Sequence, residues 1–457
     1  MRSSPSSSYP VMFVNRLVNL GGPGRLFCRA NLPAVLIDAP QSPTPARTPA
    51  VSEVFRVAVP LLYTVMAFIL LRSAIVFPQM NSGTDFIPIW TAANNYVSGE
   101  PVFNSDYTVD MPHYLYTPAG TVLIAPVAVF GSQEVARAVM AALGALCIIA
   151  AIAVAAHMVR PRWFHIVFPL AVSFFFITPE PVRTTLALTN INGFMLLLQV
   201  LFIWFSLRLR ALKVGWRNHF TRPEAWVAGA LAGVALSIKP QFAVLFIVSL
   251  AYWQVAVVVI AALVAAALFA FGWFTIAEPE LFFTNLVPYL SEPRPRFNGS
   301  VSGLGIILEW PNAVVTVLTL FVIVASLGAV ALMWQWKETD PVLFTFVATG
   351  VCFAGGFMAS GLLQNYYSIW LIPLVLTIAG RQSPVRWPVT TLILLFMYAN
   401  WTWPETDNVT LGVTLAYIPS FMFIALPVAV AAWALANRPA EEQQVEAPAS
   451  RTVAGDF

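Results

Sequence analysis

The chain has 457 residues, of which 59% are hydrophobic, 13% aromatic and only 10% charged, and its mean hydropathy is +0.76. These values exclude an ordinary soluble globular protein and imply an all-α polytopic membrane protein. The formal net charge of +3 is no nucleic-acid signal, because the basic residues follow membrane topology.

Residues 1–53 are rich in Ser, Pro, Gly and Arg and are expected to form a disordered cytoplasmic tail, with a short interfacial helix near Val11–Leu20. They show no convincing signal-peptide cleavage pattern. Residues 54–437 are expected to form one transmembrane catalytic domain, and 438–457 a second disordered cytoplasmic tail. Cys28, Cys147 and Cys352 stand too far apart to suggest a disulfide framework or a metal site.

A hydrocarbon core is about 30 Å thick, so a crossing helix needs roughly 20 apolar residues. Apolar runs predict about twelve transmembrane helices, near 55–77, 134–158, 163–179, 184–207, 224–238, 241–253, 254–276, 312–334, 341–360, 363–380, 387–401 and 411–436. The basic cluster Arg208, Arg210, Lys213, Arg217 and Arg222 belongs in the cytoplasm. The Arg160–Arg162 loop joins it there only if the short apolar segment 119–130 does not cross. That segment is therefore expected to be a re-entrant or interfacial half-helix buried by protein. Both termini then lie inside, and twelve of the 21 acids fall on the outer side, most of them in the outer loops 78–133 and 277–311. Lys239, between two short apolar runs, is expected near the outer interface.

Six stretches occur in order along this topology: TDFIPIW, DMPHYLYTPAG, LTNINGFMLLLQVLF, SIKPQ, FFTNLVPYL followed by FNGSVSGLG, and LLQNYYSIWLIP. Together they resemble the family of membrane glycosyltransferases of GT-C fold that contains mycobacterial arabinofuranosyltransferases and polyprenyl-phosphomannose-dependent mannosyltransferases. The likeness covers about residues 80–375 and rests on the order of the motifs, since no single one is specific. Thr117 stands where the family has the first Pro of a Pro-Pro pair, and Ala119 where it has a Gly.

The motifs are more similar to the arabinofuranosyltransferases than to the mannosyltransferases. The resemblance implies inverting transfer of arabinofuranose, α-(1→3)-linked, from decaprenyl-phosphoryl arabinose to cell-envelope arabinan. Its partners are then a lipid-linked sugar donor, a polysaccharide or glycolipid acceptor and the bacterial plasma membrane, with the site on the outer face. A polyprenyl-phosphomannose donor is the alternative. A transporter would place charged groups near the bilayer midplane and repeat its halves, and neither pattern is seen.

Such a reaction needs a base for the acceptor hydroxyl and cations or hydrogen-bond donors for the leaving phosphate. Asp85 is the candidate base, and a plain helix N-cap is its structural alternative. Lys239 is the first candidate for the donor phosphate, with snorkelling to the interface as the alternative. His113, Arg294 and Arg296 are further phosphate candidates, though His113 suits a bond to a loop carbonyl equally well. Asn190, Asn192, Tyr114, Tyr116, Gln364, Tyr366 and Tyr367 are candidates for sugar or acceptor binding, against helix capping and aromatic-belt anchoring. Asp106 and Asp110 do not have diagnostic metal spacing, and no metal or other cofactor is assigned.

Overall fold

The computed structural model describes residues 49–438 apart from 110, 178–179, 296, 400, 402 and 405. The expected helix near Val11–Leu20 and the C-terminal tail lie outside these residues. The chain divides into the units Met1–Glu53 and Val54–Phe457, and the second holds the helical bundle.

Among the described residues every regular element is helical. Seven helices are long and apolar enough to cross a membrane: Phe55–Gln79, Gln133–Val159, Asn192–Ala211, Val255–Thr275, Asn312–Trp336, Pro341–Ala359 and Ile418–Ala436. Pro161–Ile177 and Glu180–Leu188, bent by 64° at their junction, make an eighth crossing if taken as one span. The protein is thus a multi-pass membrane protein, but helix length does not reproduce twelve crossings. The other four expected spans are the shorter helices Pro223–Ile238, Pro240–Ala251, Asn365–Ala379 and Pro388–Tyr398. At 1.5 Å per residue, Pro223–Ile238 with its 16 residues is about 24 Å long, short of the hydrocarbon core.

Two expected spans are also broken internally. The run 184–207 is interrupted because Asn190 turns the chain: its amide donates to the carbonyl of Thr185 at 3.2 Å, and its side-chain oxygen accepts from the amide of Asn192 at 3.1 Å. Thr189 in that turn has φ 53°, the left-handed region that β-branched residues rarely enter. The spanning helix therefore begins only at Asn192. The run 411–436 breaks at Tyr417 into Val409–Ala416 and Ile418–Ala436, with Pro419 in the first turn of the second helix, where a missing N–H is tolerated.

The segment expected as a half-helix forms Pro118–Ile124 and continues as a 3-10 turn, Ala125–Phe130. Thr117 accepts from the amide of Gly120 at 3.1 Å and donates to the carbonyl of Ser237, two bonds a proline there would not make. Pro118, Ala119, Gly120 and Thr121 are buried by protein, which keeps the broken backbone away from lipid. Gly272 of the Val255–Thr275 helix lets Pro118 approach, since a Cβ at that position would overlap its carbonyl oxygen.

Pro341–Ala359 is the innermost long helix, with 78% of its apolar window buried, whereas Phe55–Gln79 is peripheral with 6%. Pro223–Ile238 is clamped between Asn192–Ala211 and Val255–Thr275. Its Gly229 and Gly233, four residues apart, form the small-residue seam that lets membrane helices touch backbone to backbone. A Cβ at Gly229 would come 2.6 Å from Ile260, and one at Gly233 would come 2.7 Å from the carbonyl oxygen of Ala261. Overpacking of this kind costs about 1–3 kcal/mol. Gly233→Val is therefore expected to lower the apparent melting temperature in detergent by several degrees. An unchanged melting curve would show that this seam is not close-packed.

The Asn192–Ala211 helix, with 20 residues, is about 30 Å long and sets the two ends of the bundle apart. Arg208 and Arg210 sit in its last turn, where cations complement the helix dipole. Arg210 pairs there with Glu338 at 2.5 Å. The opposite end, at Asn190 and Asn192, meets the segment after the first span through the bond from Asn190 to Asp85.

Candidate active site

The chain leaves its first span through a turn that Arg137 holds, donating from Nη1 to the carbonyls of Pro78 and Asn81, both at 2.9 Å. Gly83 makes the turn at φ 63°, and a Cβ there would come 2.5 Å from Cδ of Arg137. The turn delivers Asp85 to the start of the Phe86–Ser98 helix. Asp85 occupies the N-cap position yet makes no capping hydrogen bond. Its Oδ2 instead accepts from Asn190 Nδ2 at 3.3 Å and from the Tyr366 hydroxyl at 3.1 Å.

Lys239 lies at the break between Pro223–Ile238 and Pro240–Ala251. Its ammonium faces three rings, with the centroids of Tyr367 at 4.8 Å, Trp370 at 5.1 Å and Tyr116 at 5.9 Å. Burial lowers its pKa from 10.5 to about 8, opposed by the charge of Asp85. Burial likewise raises the pKa of Asp85, opposed in turn by the bonds from Asn190 and Tyr366 and by the charge of Lys239. The two groups act on each other, but among the described residues no ion pair within 4.0 Å joins them. Opposite, partly desolvated charges left unpaired across a gap are an arrangement found at functional sites.

Asp85, Lys239, Asn190, Tyr116, Tyr366 and Tyr367 thus come together from distant parts of the chain. Asn192 lies beside them, 1% exposed, with both ends of its side-chain amide lacking a partner, while its carbonyl accepts from Trp370 Nε1 at 3.3 Å. Gln364 Oε1, in the turn before Tyr366, is also buried without a partner. Tyr114 is placed differently: it is buried and its hydroxyl donates to Thr121 at 2.9 Å, so its place is in the packing beneath Tyr116.

His113 is not brought to Asp85 or Lys239. Its Nε2 sits 3.0 Å from the carbonyl of Val109, and its ring packs against Tyr107 and Tyr289 at 5.0 and 5.1 Å, so the structural alternative is the arrangement found. Arg294 lies 4.4 Å over the Tyr289 ring, donates to that hydroxyl and is close enough to act electrostatically on Tyr367, so it borders the lysine cage from the 277–311 segment. Arg296 and Asp110 lie outside the described residues. Asp106 is exposed and accepts from the amide and hydroxyl of Thr108 at 3.0 and 2.6 Å, a local turn. Among the described residues no three His, Cys, Asp or Glu side chains are grouped so as to hold a metal ion.

Sequence reasoning missed Trp370, read within the expected span 363–380, and Asn298, which entered only as part of the stretch FNGSVSGLG. Asn298 is fully buried. Its Oδ1 accepts from the amides of Ser300 and Leu363 at 3.1 and 3.0 Å, and its Nδ2 donates to the carbonyls of Arg294 and Gly361 at 3.0 and 2.8 Å. It fastens the loop bearing Arg294 to the turn bearing Tyr366; the Asn-Gly-Ser turn signature was the available signal. Each buried polar group left unpaired costs about 1–3 kcal/mol. Asn298→Ala is therefore expected to lower the melting temperature and open the loop to chymotrypsin after Phe297. Wild-type protease resistance in the alanine variant would show that the loop is held by other contacts.

Residues 114–361, more than half of the chain, match Glycosyltransferase family 87. The chain is 30% identical over 346 residues to an alpha-(1->3)-arabinofuranosyltransferase of Corynebacterium glutamicum, covering 75% of this chain and 78% of that one. It is 29% identical over 367 residues to an alpha-(1->3)-arabinofuranosyltransferase of Mycobacterium tuberculosis, covering 77% and 81%. Among solved structures, ArnT from Cupriavidus metallidurans bound to undecaprenyl phosphate aligns with a TM-score of 0.43 and 16% identity, over 84% of this chain and 78% of that one. The family match and the 30% identity across three quarters of the chain establish that this membrane protein belongs to glycosyltransferase family 87 and is a glycosyltransferase.

Proposed function

We propose that the protein is an inverting arabinofuranosyltransferase of GT-C architecture. It moves arabinofuranose from decaprenyl-phosphoryl arabinose to the 3-hydroxyl of a cell-envelope arabinan acceptor. The observation that carries this reading is the Asp85 carboxylate, held by Asn190 and Tyr366, within electrostatic reach of the caged Lys239 ammonium. The names of the relatives supply the sugar. The basic end of the Asn192–Ala211 helix, read as cytoplasmic, supports an outer-face location for Asp85.

In this mechanism Asp85 accepts the proton of the acceptor hydroxyl as its oxygen attacks C1 of the donor sugar. The bond from C1 to the phosphate oxygen breaks and its electron pair stays on the phosphate, which leaves as a lipid monophosphate dianion. Lys239, with Arg294 at the border of the cage, stabilises the charge that develops there. A β-linked donor and an α-linked product mean one inversion at C1, so a single base suffices. Nothing in this sequence of events calls for a metal.

The donor is tested with purified protein, a short arabinan acceptor and two synthetic lipids, decaprenyl-phosphoryl arabinose and a polyprenyl-phosphomannose. Transfer of arabinose alone is expected. Transfer of mannose alone would move the assignment to the mannosyltransferases and leave the fold untouched.

A further inference from the structure

We propose that Asn190 and Tyr366 are positioning residues that occupy both lone pairs of Asp85 Oδ2, so that Oδ1 alone takes the proton of the acceptor hydroxyl. This rests on Asp85 being the base.

A carboxylate oxygen offers two good hydrogen-bond directions. On Oδ2 both are used, by Asn190 Nδ2 at 3.3 Å and by the Tyr366 hydroxyl at 3.1 Å, whereas Oδ1 has no protein donor among the described residues. The donors come from separate parts of the chain, and each is itself held in place. The amide of Asn192 donates to Asn190 Oδ1, which fixes the NH2 end of Asn190 toward Asp85. The strained Thr189 turn and the bond from the Asn190 amide to Thr185 fix its backbone. Tyr366 packs edge-on against Tyr367 at 5.4 Å, within the wall of the lysine cage.

The consequence is a base that needs no rearrangement. When the acceptor oxygen bonds to C1, its proton moves to Oδ1 and Asp85 becomes neutral. Oδ2, now the carbonyl oxygen of the acid, still accepts from both donors. Rotating the carboxylate to offer Oδ2 would break both bonds, so the acceptor is read from one side only. Asn190 is thereby assigned to the base rather than to a sugar hydroxyl.

Lys239, Tyr116, Tyr366 and Tyr367 are the titratable groups that act on Asp85. Two hydrogen bonds to the charged form favour it, so removing either one raises the pH at which Asp85 protonates. A carbodiimide reacts with the protonated carboxyl, so labelling of Asp85 against pH, followed by peptide mass spectrometry, reports that midpoint without any substrate. Relative to the full-length wild type, Tyr366→Phe and Asn190→Ala are each expected to move the midpoint up by about one pH unit. Both should lower kcat about 10- to 100-fold, as expected for a general base that is no longer held in line, with the donor KM within about twofold.

Tyr366→Phe keeps the ring and removes one hydroxyl, so it carries the test if Asn190→Ala fails to fold. An unchanged midpoint in Tyr366→Phe, or a loss seen wholly in KM, overturns the positioning role. A shifted midpoint in an enzyme that transfers no arabinose overturns the donor assignment instead and leaves the positioning role standing.

Discussion

Replacing Asp85 with Asn is expected to lower kcat/KM for sugar transfer by about 10²- to 10⁴-fold, the usual contribution of a general base. The substitution is informative because it should cost no stability. Asp85 stands at the start of the Phe86–Ser98 helix but caps nothing, so no cap is lost. The carboxamide has nearly the same shape, and its oxygen still accepts from Asn190 and Tyr366. Burial already penalises the charge of Asp85, so neutralising it is expected to leave the melting temperature unchanged or slightly higher. Asp106→Asn is the matched control: that carboxylate is exposed on a local turn with Thr108, and transfer should persist near the wild-type rate. Full activity in Asp85→Asn would remove Asp85 from the mechanism, and a large drop in melting temperature would make its role structural.

Asp85 and Lys239, which the structure brings within electrostatic reach of each other, stood out in the sequence because charge is scarce in this chain and because the stretches TDFIPIW and SIKPQ carry them. What the sequence did not carry was their surroundings. The bond from Asn190 to Asp85 spans 105 residues and that from Tyr366 spans 281, and no local pattern encodes such a meeting. Averaged hydrophobicity also hid the breaks. Thr189 and Asn190 are two polar residues in a long apolar run, yet their turn chemistry moves the start of a crossing helix to Asn192. Trp370 and Tyr367 read as belt or core residues, and only the fold turns their rings toward Lys239. His113 stays apart from Asp85 and Lys239 for a local reason: a loop carbonyl four residues away meets its ring nitrogen.

Lys239→Met is expected to lower kcat/KM about 100-fold or more, in the range seen when one preorganised electrostatic contact is removed. Its signature lies in the pH profile. Burial brings the pKa of Lys239 down from 10.5 to about 8, so the free enzyme carries the ammonium below that pH and loses it above. A donor phosphate that needs the charge gives a kcat/KM that falls tenfold per unit as pH rises beyond about 8. Once the anionic donor is bound it stabilises the ammonium, so the corresponding limb of kcat lies at higher pH. Lys239→Arg, always protonated, should lose the alkaline limb while transferring more slowly, because a broad guanidinium does not put its charge where the compact ammonium does.

Stability should move in the opposite direction to activity. A lysine whose folded pKa is depressed binds fewer protons folded than unfolded between about 8 and 10.5, so stability rises with pH across that window. At neutral pH the buried ammonium is therefore a net cost, only partly offset by its aromatic neighbours and the charge of Asp85. Lys239→Met should accordingly melt at a higher temperature than wild type at pH 7, an inactive but more stable protein of the kind expected where a strained site serves function. A lower melting temperature would identify Lys239 as a structural anchor whose cage exists to hold the helix break, and the phosphate role would fall to Arg294.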